Sequence, residues 1–324
     1  MASQGSKIYG SDYNGVQSTI ATVLGTYYGQ TVNSVQIASP TTTKIRAAQW
    51  QALYQDILTC YDHQNASSGS LTWPTTSTKV SYLDFNAYQT MANGCSTNYK
   101  QFSSTYYSAQ TLASSQESPG WGVNPGSEIA SQTVTCTWPS TTNAGYFFNL
   151  GGELRITASM SGGQTGTAGT KDYSWASMLS HMGTVKLGVD GTTQYTLSTS
   201  GQTVDVLRTD VGYNQLSSSD TLIFQMTTGG TYSPNMIQIY ARISGAQIIL
   251  TIKYEDLSAQ PNPPWGTDET ITGTLTSNVT IYSASGGPSF NPPTYPVDLK
   301  ITSSYVPSVS DSGLSSGPPG HVYR

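Results

Sequence analysis

Over residues 44–63 the apolar side chains Trp50, Leu53, Tyr54, Ile57, Leu58 and Tyr61 recur at intervals of three and four, with Gln51, Gln55, Asp56, Thr59 and Asp62 between them. That spacing predicts an amphipathic helix whose polar face meets water. A shorter stripe, Val16, Ile20, Val23 and Leu24, predicts a helix entered after Ser11-Asp12 as a cap and left at Gly25. A third, Tyr88, Met91, Cys95, Tyr99 and Phe102, follows Ser81 and Asp84, which are spaced as a capping box. The Asn93-Gly94 pair works against that helix, since Gly costs about 1 kcal/mol relative to Ala in a helix interior.

Past Gly120 the period shortens to two. Val134, Cys136 and Trp138 alternate with polar residues, as do Leu154, Ile156 and Ala158, then Val185, Leu187 and Val189, then Leu222, Phe224 and Met226. These read as half-buried strands. The clearest pair is Ile237, Ile239, Ala241 and Ile243 followed by Ile248, Leu250, Ile252 and Tyr254, with Ser244-Gly-Ala-Gln247 as the turn of an antiparallel hairpin. In a last strand Ile271, Leu275, Val279 and Ile281 share one parity with Gly273 and Ser277. One short helix interrupts, marked by Trp175, Met178, Leu179 and Met182. Many strands without long intervening helices argue for two packed sheets.

The expected fold class is therefore α+β, a small helical N-terminal domain followed by an antiparallel β-sandwich. The expected boundaries are a helical domain over 1–117, a Gly/Pro linker over 118–126, the sandwich over 127–285 and a Pro/Gly/Ser-rich extended tail over 286–324. The tail is too poor in apolar residues to order itself, so a neighbouring subunit is expected to cover it if it is ordered.

Composition then narrows the function. Of 324 residues only 10% are charged, 13 Lys+Arg against 18 Asp+Glu, giving a net charge of −5, where an average domain has roughly 25%. Ser and Thr number 45 each, so the surface is solubilised by hydroxyl and amide groups. So few cations supply no basic patch for nucleic acid. The longest aliphatic run, Ile248-Ile249-Leu250, is far too short to span a membrane, and residues 1–10 carry no apolar stretch of the secretory kind.

Candidate chemistry is sparse. Cys60, Cys95 and Cys136 cannot all pair within one chain and share no C-x-x-C spacing, which favours buried thiols. Cys60 precedes His63 by almost one turn, close enough for a nucleophile and base, yet a core thiol beside a histidine favoured by the helix dipole is the plainer reading. Glu255-Asp256 and Asp268-Glu269 are adjacent, so on a strand their side chains diverge and make no acid and base couple. The Gly-rich run over 161–171 precedes the short helix as a phosphate loop would, but ends Gly169-Thr170-Lys171 and lacks Gly-Lys-Ser/Thr in succession. Three scattered histidines and no calcium-loop pattern predict no metal, and no cofactor is expected. Aromatics in Gly/Pro/Ser-rich contexts remain: Tyr27-Tyr28, Tyr106, Tyr107, Trp73, Trp121 and Trp265. Such residues either staple the chain to itself or serve as contact anchors. Trp73, Trp121, Trp265, Tyr106 and Tyr107 are the candidate contact residues.

The stretch Gly145-Tyr-Phe-Phe-Asn-Leu-Gly-Gly-Glu-Leu-Arg-Ile156, followed by Ser174-Trp-Ala-Ser-Met-Leu-Ser180 and Thr184-Val-Lys-Leu-Gly188, resembles a family of virion structural proteins of tailed bacteriophages, including those that infect cyanobacteria. In that family a Phe-Phe-Asn-x-Gly-Gly-Glu strand precedes a Trp-containing short helix, and strands like Ile237-Gln-Ile-Tyr-Ala-Arg242 and 268–276 follow. Segments 13–20 and 44–53 are similar to its helix starts, so the likeness extends to about Tyr282 and leaves the tail from Gly286 outside. The resemblance implies a non-enzymatic virion component of the tail, neck, baseplate or fibre attachment, without catalytic residues. Its expected partners are other virion proteins and copies of itself, with neither nucleic acid nor a membrane span. Two rivals stand beside it: a receptor-binding adhesin gripping host glycans through loop aromatics, and a hydrolase using Glu153 or Asp268.

Overall fold

In a computed structural model, residues 7–40, 44–65, 67, 69–75, 77, 79–102, 107–117, 128–195, 202–258, 271–284 and 302–305 are described. The N-terminal stripe forms α1 (Gly10–Ala21) and runs on through a wider π-helical turn, Thr22–Tyr27, rather than stopping at Gly25. That turn carries Val23, Leu24 and Tyr28 into the interior. The start also differs from expectation: Tyr9 is the N-cap, and Asp12 lies inside the first turn, accepting the Tyr9 amide at 2.8 Å. Helix α2 spans Ala47–Asn65, beginning three residues late because the Gln49 side chain caps the Arg46 amide. Helix α3, Tyr82–Thr97, opens with the expected capping box of Ser81 and Asp84 and ends before Tyr99 and Phe102.

The expected polar face of α2 is only partly wet. Asp56 and Asp62 are buried, because the irregular chain around them needs acceptors for its backbone amides. Asp56 accepts from the amides of Asn33 and Ser34, the latter at 2.7 Å, and Asp62 accepts from Gly69 at 2.9 Å. Among the described residues, 29–40 have no regular partner strand. Asn14 takes that role, receiving the Ile37 amide and donating to the Ile37 carbonyl, and Gln17 donates to Ser34.

The remaining elements are β1 (Tyr107–Glu117), β2 (Glu128–Thr137), α4 (Thr141–Asn149), β3 (Glu153–Ser161), α5 (Lys171–Met182), β4 (Thr184–Leu187), β5 (Thr192–Tyr195), β6 (Gln202–Leu207), β7 (Thr221–Thr228), β8 (Met236–Ser244), β9 (Gln247–Asp256), β10 (Thr274–Ala284) and β11 (Thr302–Tyr305). They build two wholly antiparallel sheets, ordered β1-β10-β3-β4-β5 and β11-β2-β9-β8-β7-β6. The α+β class with a sandwich holds. Strand β1 begins at Tyr107, ahead of the expected linker, whose residues 118–126 lie outside those described. Strand β11 pairs with β2 of its own chain, so at Thr302–Tyr305 the tail finds a partner without a second subunit.

Alternation places the core between the sheets. Ile281 pairs with Leu154 and Val279 with Ile156 on one sheet; Ile252 pairs with Ile239 and Leu250 with Ala241 on the other. All of these are buried. The hairpin is as expected, Ser244 paired with Gln247. Parity fails at Leu222, where a bulge in β7 sends both Ile223 and Phe224 inward and leaves Leu222 half-buried. The Phe147-Phe148 pair, a strand in the resembling family, lies here on α4, and the strand starts after Gly151-Gly152. Helix α5 lies against β3 and β7, one strand of each sheet, and buries Trp175, Met178, Leu179 and Met182, the four residues its spacing singled out.

The helical unit is packed onto the sandwich rather than tethered to it. Its core takes in Leu150 and Ala284 from the β part. At Gly151, φ is +85° and an added Cβ would lie 2.1 Å from the Phe102 ring. Lys100 forms an ion pair with Asp190 across the same junction. Among the described residues no helix is long and apolar enough to cross a membrane.

Candidate functional site

The Gly-rich run ends at a helix start, as a phosphate loop would, but its lysine points the other way. Thr170 caps α5, accepting the Tyr173 amide at 3.2 Å. Lys171, the first helical residue, is fully buried with its Nζ 2.9 Å from Asp256 Oδ2 at the end of β9. Ser258 Oγ donates to the other carboxylate oxygen at 3.0 Å, and Asn235 Oδ1 holds the amides of Leu257 and Ser258. Asp172 reaches the other sheet. It accepts from the amides of Gln164, Thr272 and Gly273 and from the Thr272 hydroxyl at 2.5 Å. Burial works against its charge, but those hydrogen bonds prevail and hold its pKa below the usual value. Two consecutive residues of one helix thus tie α5 to both sheets.

The other titratable candidates are likewise absorbed by the fold. His63 turns its ring to Tyr28 and Phe102, 5.4 and 5.3 Å between centroids. The Cys60 thiol has Cys95 and Asp56 as its polar neighbours, and burial pushes it up. The helix-dipole expectation for His63 is overridden, since burial pushes it down to about 4 while the Leu150 backbone pulls the other way. Glu255 and Asp256 do fall on opposite faces, half-buried and buried. Glu153 is held by Arg155 at 2.8 Å and Lys186 at 3.5 Å, while Asp268 lies outside the described residues. Among the described residues no cluster of His, Cys, Asp or Glu large enough to hold a metal ion is present.

Of the candidate contact aromatics, Trp73 is fully described. It is 44% exposed, and its ring stands edge-on to Tyr54 of α2 at 4.7 Å. Tyr107 starts β1, opposite Ala284, whereas Tyr106, Trp121 and Trp265 lie outside the described residues. Tyr28 is a packing residue, its hydroxyl donating to the Tyr99 carbonyl at 2.9 Å. Trp73 belongs to a strap, residues 69–75, crossing α2 and the start of α3. The strap is fixed by Gly69 to Asp62, by the Tyr88 hydroxyl to the Thr72 carbonyl at 2.5 Å, and by Gln51 to the Pro74 carbonyl at 2.8 Å. Leu83, 63% exposed in the first turn of α3, neighbours Asp84, which bonds Thr72. A cavity of about 530 Å³ opens between α2, α3 and the strap.

Reasoning from spacing missed the Lys171 to Asp256 pair. Its available signal was a lone Lys-Asp at a helix start in a chain with few charges. The cavity had a fainter one, a glycine inside a helical stripe. Compared with known protein families, curated proteins and solved structures, the chain matches none.

Proposed function

We propose that the protein is a non-enzymatic structural component of a tailed phage particle, in the tail, neck, baseplate or fibre attachment, acting through contacts with other virion proteins and with copies of itself. The observation that carries this reading is the exposure of two large apolar side chains in the helical unit, Trp73 on a strap pinned by hydrogen bonds and Leu83 in the first turn of α3. Large apolar side chains kept in water on a fixed scaffold suit contact anchors. Low charge supports the same reading, because an interface core tolerates few unpaired charges. The phage assignment itself draws on the sequence resemblance.

The test uses purified phage particles whose genome encodes this chain. The expected result is the chain in fixed stoichiometry, located by cryo-electron microscopy in the tail, neck, baseplate or fibre attachment, with Trp73→Ala plus Leu83→Ser lowering its incorporation. Its absence from purified particles would overturn the proposal. The adhesin reading draws on the same exposed Trp73 ring. It gains if a glycan array shows binding that Trp73→Ala abolishes while incorporation is unchanged.

A further inference from the structure

Helix α3 carries a glycine where a helix is weakened by one. Gly94 sits in its interior, costing about 1 kcal/mol relative to Ala, and neither usual reason for glycine applies. Its φ is not in the left-handed region, and a Cβ placed on it would meet nothing within 4 Å. What the missing side chain leaves open is the cavity between α2, α3 and the strap, of which Gly94 is part of the wall. At about 530 Å³ it falls in the range of small-ligand sites, about 300–1,000 Å³.

The lining has a definite chemistry. Hydrogen-bonding groups come from Gln64 and Asn65 of α2, Ser70 of the strap, Asn86 and Thr90 of α3, and Asn98 just past it. Apolar surface comes from the Tyr61 ring, Leu71, Ala87 and Met91. None of the described lining residues is Asp, Glu, Lys, Arg or His. Gln64 is already fixed, its amide donating to the Tyr28 hydroxyl at 2.7 Å and to the Cys95 carbonyl at 3.0 Å, so this wall is rigid. Neutral amides and hydroxyls beside a tyrosine ring and aliphatic surface match a ligand with an apolar face and an edge of hydroxyls. A charged ligand would enter without a counter-charge and lose its hydration.

We infer that this cavity is a binding site for a neutral saccharide ring, with Tyr61 and the aliphatic wall against the ring face and the Asn, Ser and Thr side chains on its hydroxyls. Neither Trp73 nor Leu83 lines the site, which stands whether or not the chain is a virion component.

The test is saturation-transfer NMR and calorimetry on the full chain with D-glucose, D-galactose, D-mannose, N-acetyl-D-glucosamine and their disaccharides, with glucuronate and N-acetylneuraminate as charged controls. At least one neutral sugar is expected to bind, and the charged sugars are not. Gly94→Leu, which fills the cavity, is expected to weaken binding at least about tenfold, about 1.4 kcal/mol, without lowering the melting temperature. Thr90→Ala, an exposed position, serves if Gly94→Leu folds poorly, and is expected to weaken binding several-fold. Trp73→Ala is expected to leave binding unchanged. Failure of every neutral sugar to bind, binding indifferent to both cavity variants, or preference for the charged sugars would overturn the inference.

Discussion

Lys171, the first residue of α5, and Asp256, the last residue of β9, form an ion pair at 2.9 Å with both side chains wholly removed from water. Taking two charges out of water is costly, and the pair is tolerated because the Ser258 hydroxyl satisfies the second carboxylate oxygen. Lys171→Met leaves the carboxylate buried without its cation and is expected to cost about 3–5 kcal/mol. Lys171→Met with Asp256→Leu is expected to cost less than either single change. Urea denaturation of the three variants measures this; a double variant as unstable as the sum of the singles would refute the coupling.

Stability is expected to depend on pH through His63. Its folded pKa, about 4, lies below the unfolded value of about 6.5. Between those values the unfolded chain binds a proton that the folded chain does not, so stability is complete above the window and falls as pH drops through it, by up to about 3 kcal/mol. His63→Phe, placed among the rings of Tyr28 and Phe102, is expected to flatten the slope between about pH 6.5 and 4. Denaturant midpoints across that range give the comparison.

Two glycines a few residues apart are expected to respond in opposite directions. Gly151→Ala combines a left-handed backbone with a clash against Phe102 and is expected to destabilise by about 2 kcal/mol or more. Gly145→Ala, inside α4 with open space where the methyl would go, is expected to stabilise by about 0.5–1 kcal/mol. Thermal unfolding of both variants decides the point.

The thiols are expected to be inert in the folded protein. Cys60, Cys95 and Cys136 are all buried and unpaired, and burial pushes Cys136 up to about 12, so little thiolate is available to react. Ellman's reagent is expected to modify none of them quickly under native conditions and all three in denaturant. Prompt native labelling of Cys136 would contradict the described core.

The strands were legible wherever one face meets the core and the other meets water, because burial and backbone period then coincide, as in β8, β9 and β10. The same logic failed at Leu222, where a bulge breaks the period; at Phe147-Phe148 the strand was implied by the resemblance alone, and the pair lies on a helix packed on the sandwich. It failed on α2 for a different reason. Asp56 and Asp62 look like solvent-facing residues until the amides of Asn33, Ser34 and Gly69 are seen to need them, and that need arises from segments with no periodicity to read. The cavity was illegible as a site because its lining comes from three stretches of ordinary Asn, Ser, Thr and Gly, residue types that look the same wherever they occur in this chain.

The irregular run over 29–40 is tied down by Asn14, Gln17 and the sequestered carboxylate of Asp56. Dissolved ions have almost nothing to shield there. This segment is held alike in dilute and briny surroundings.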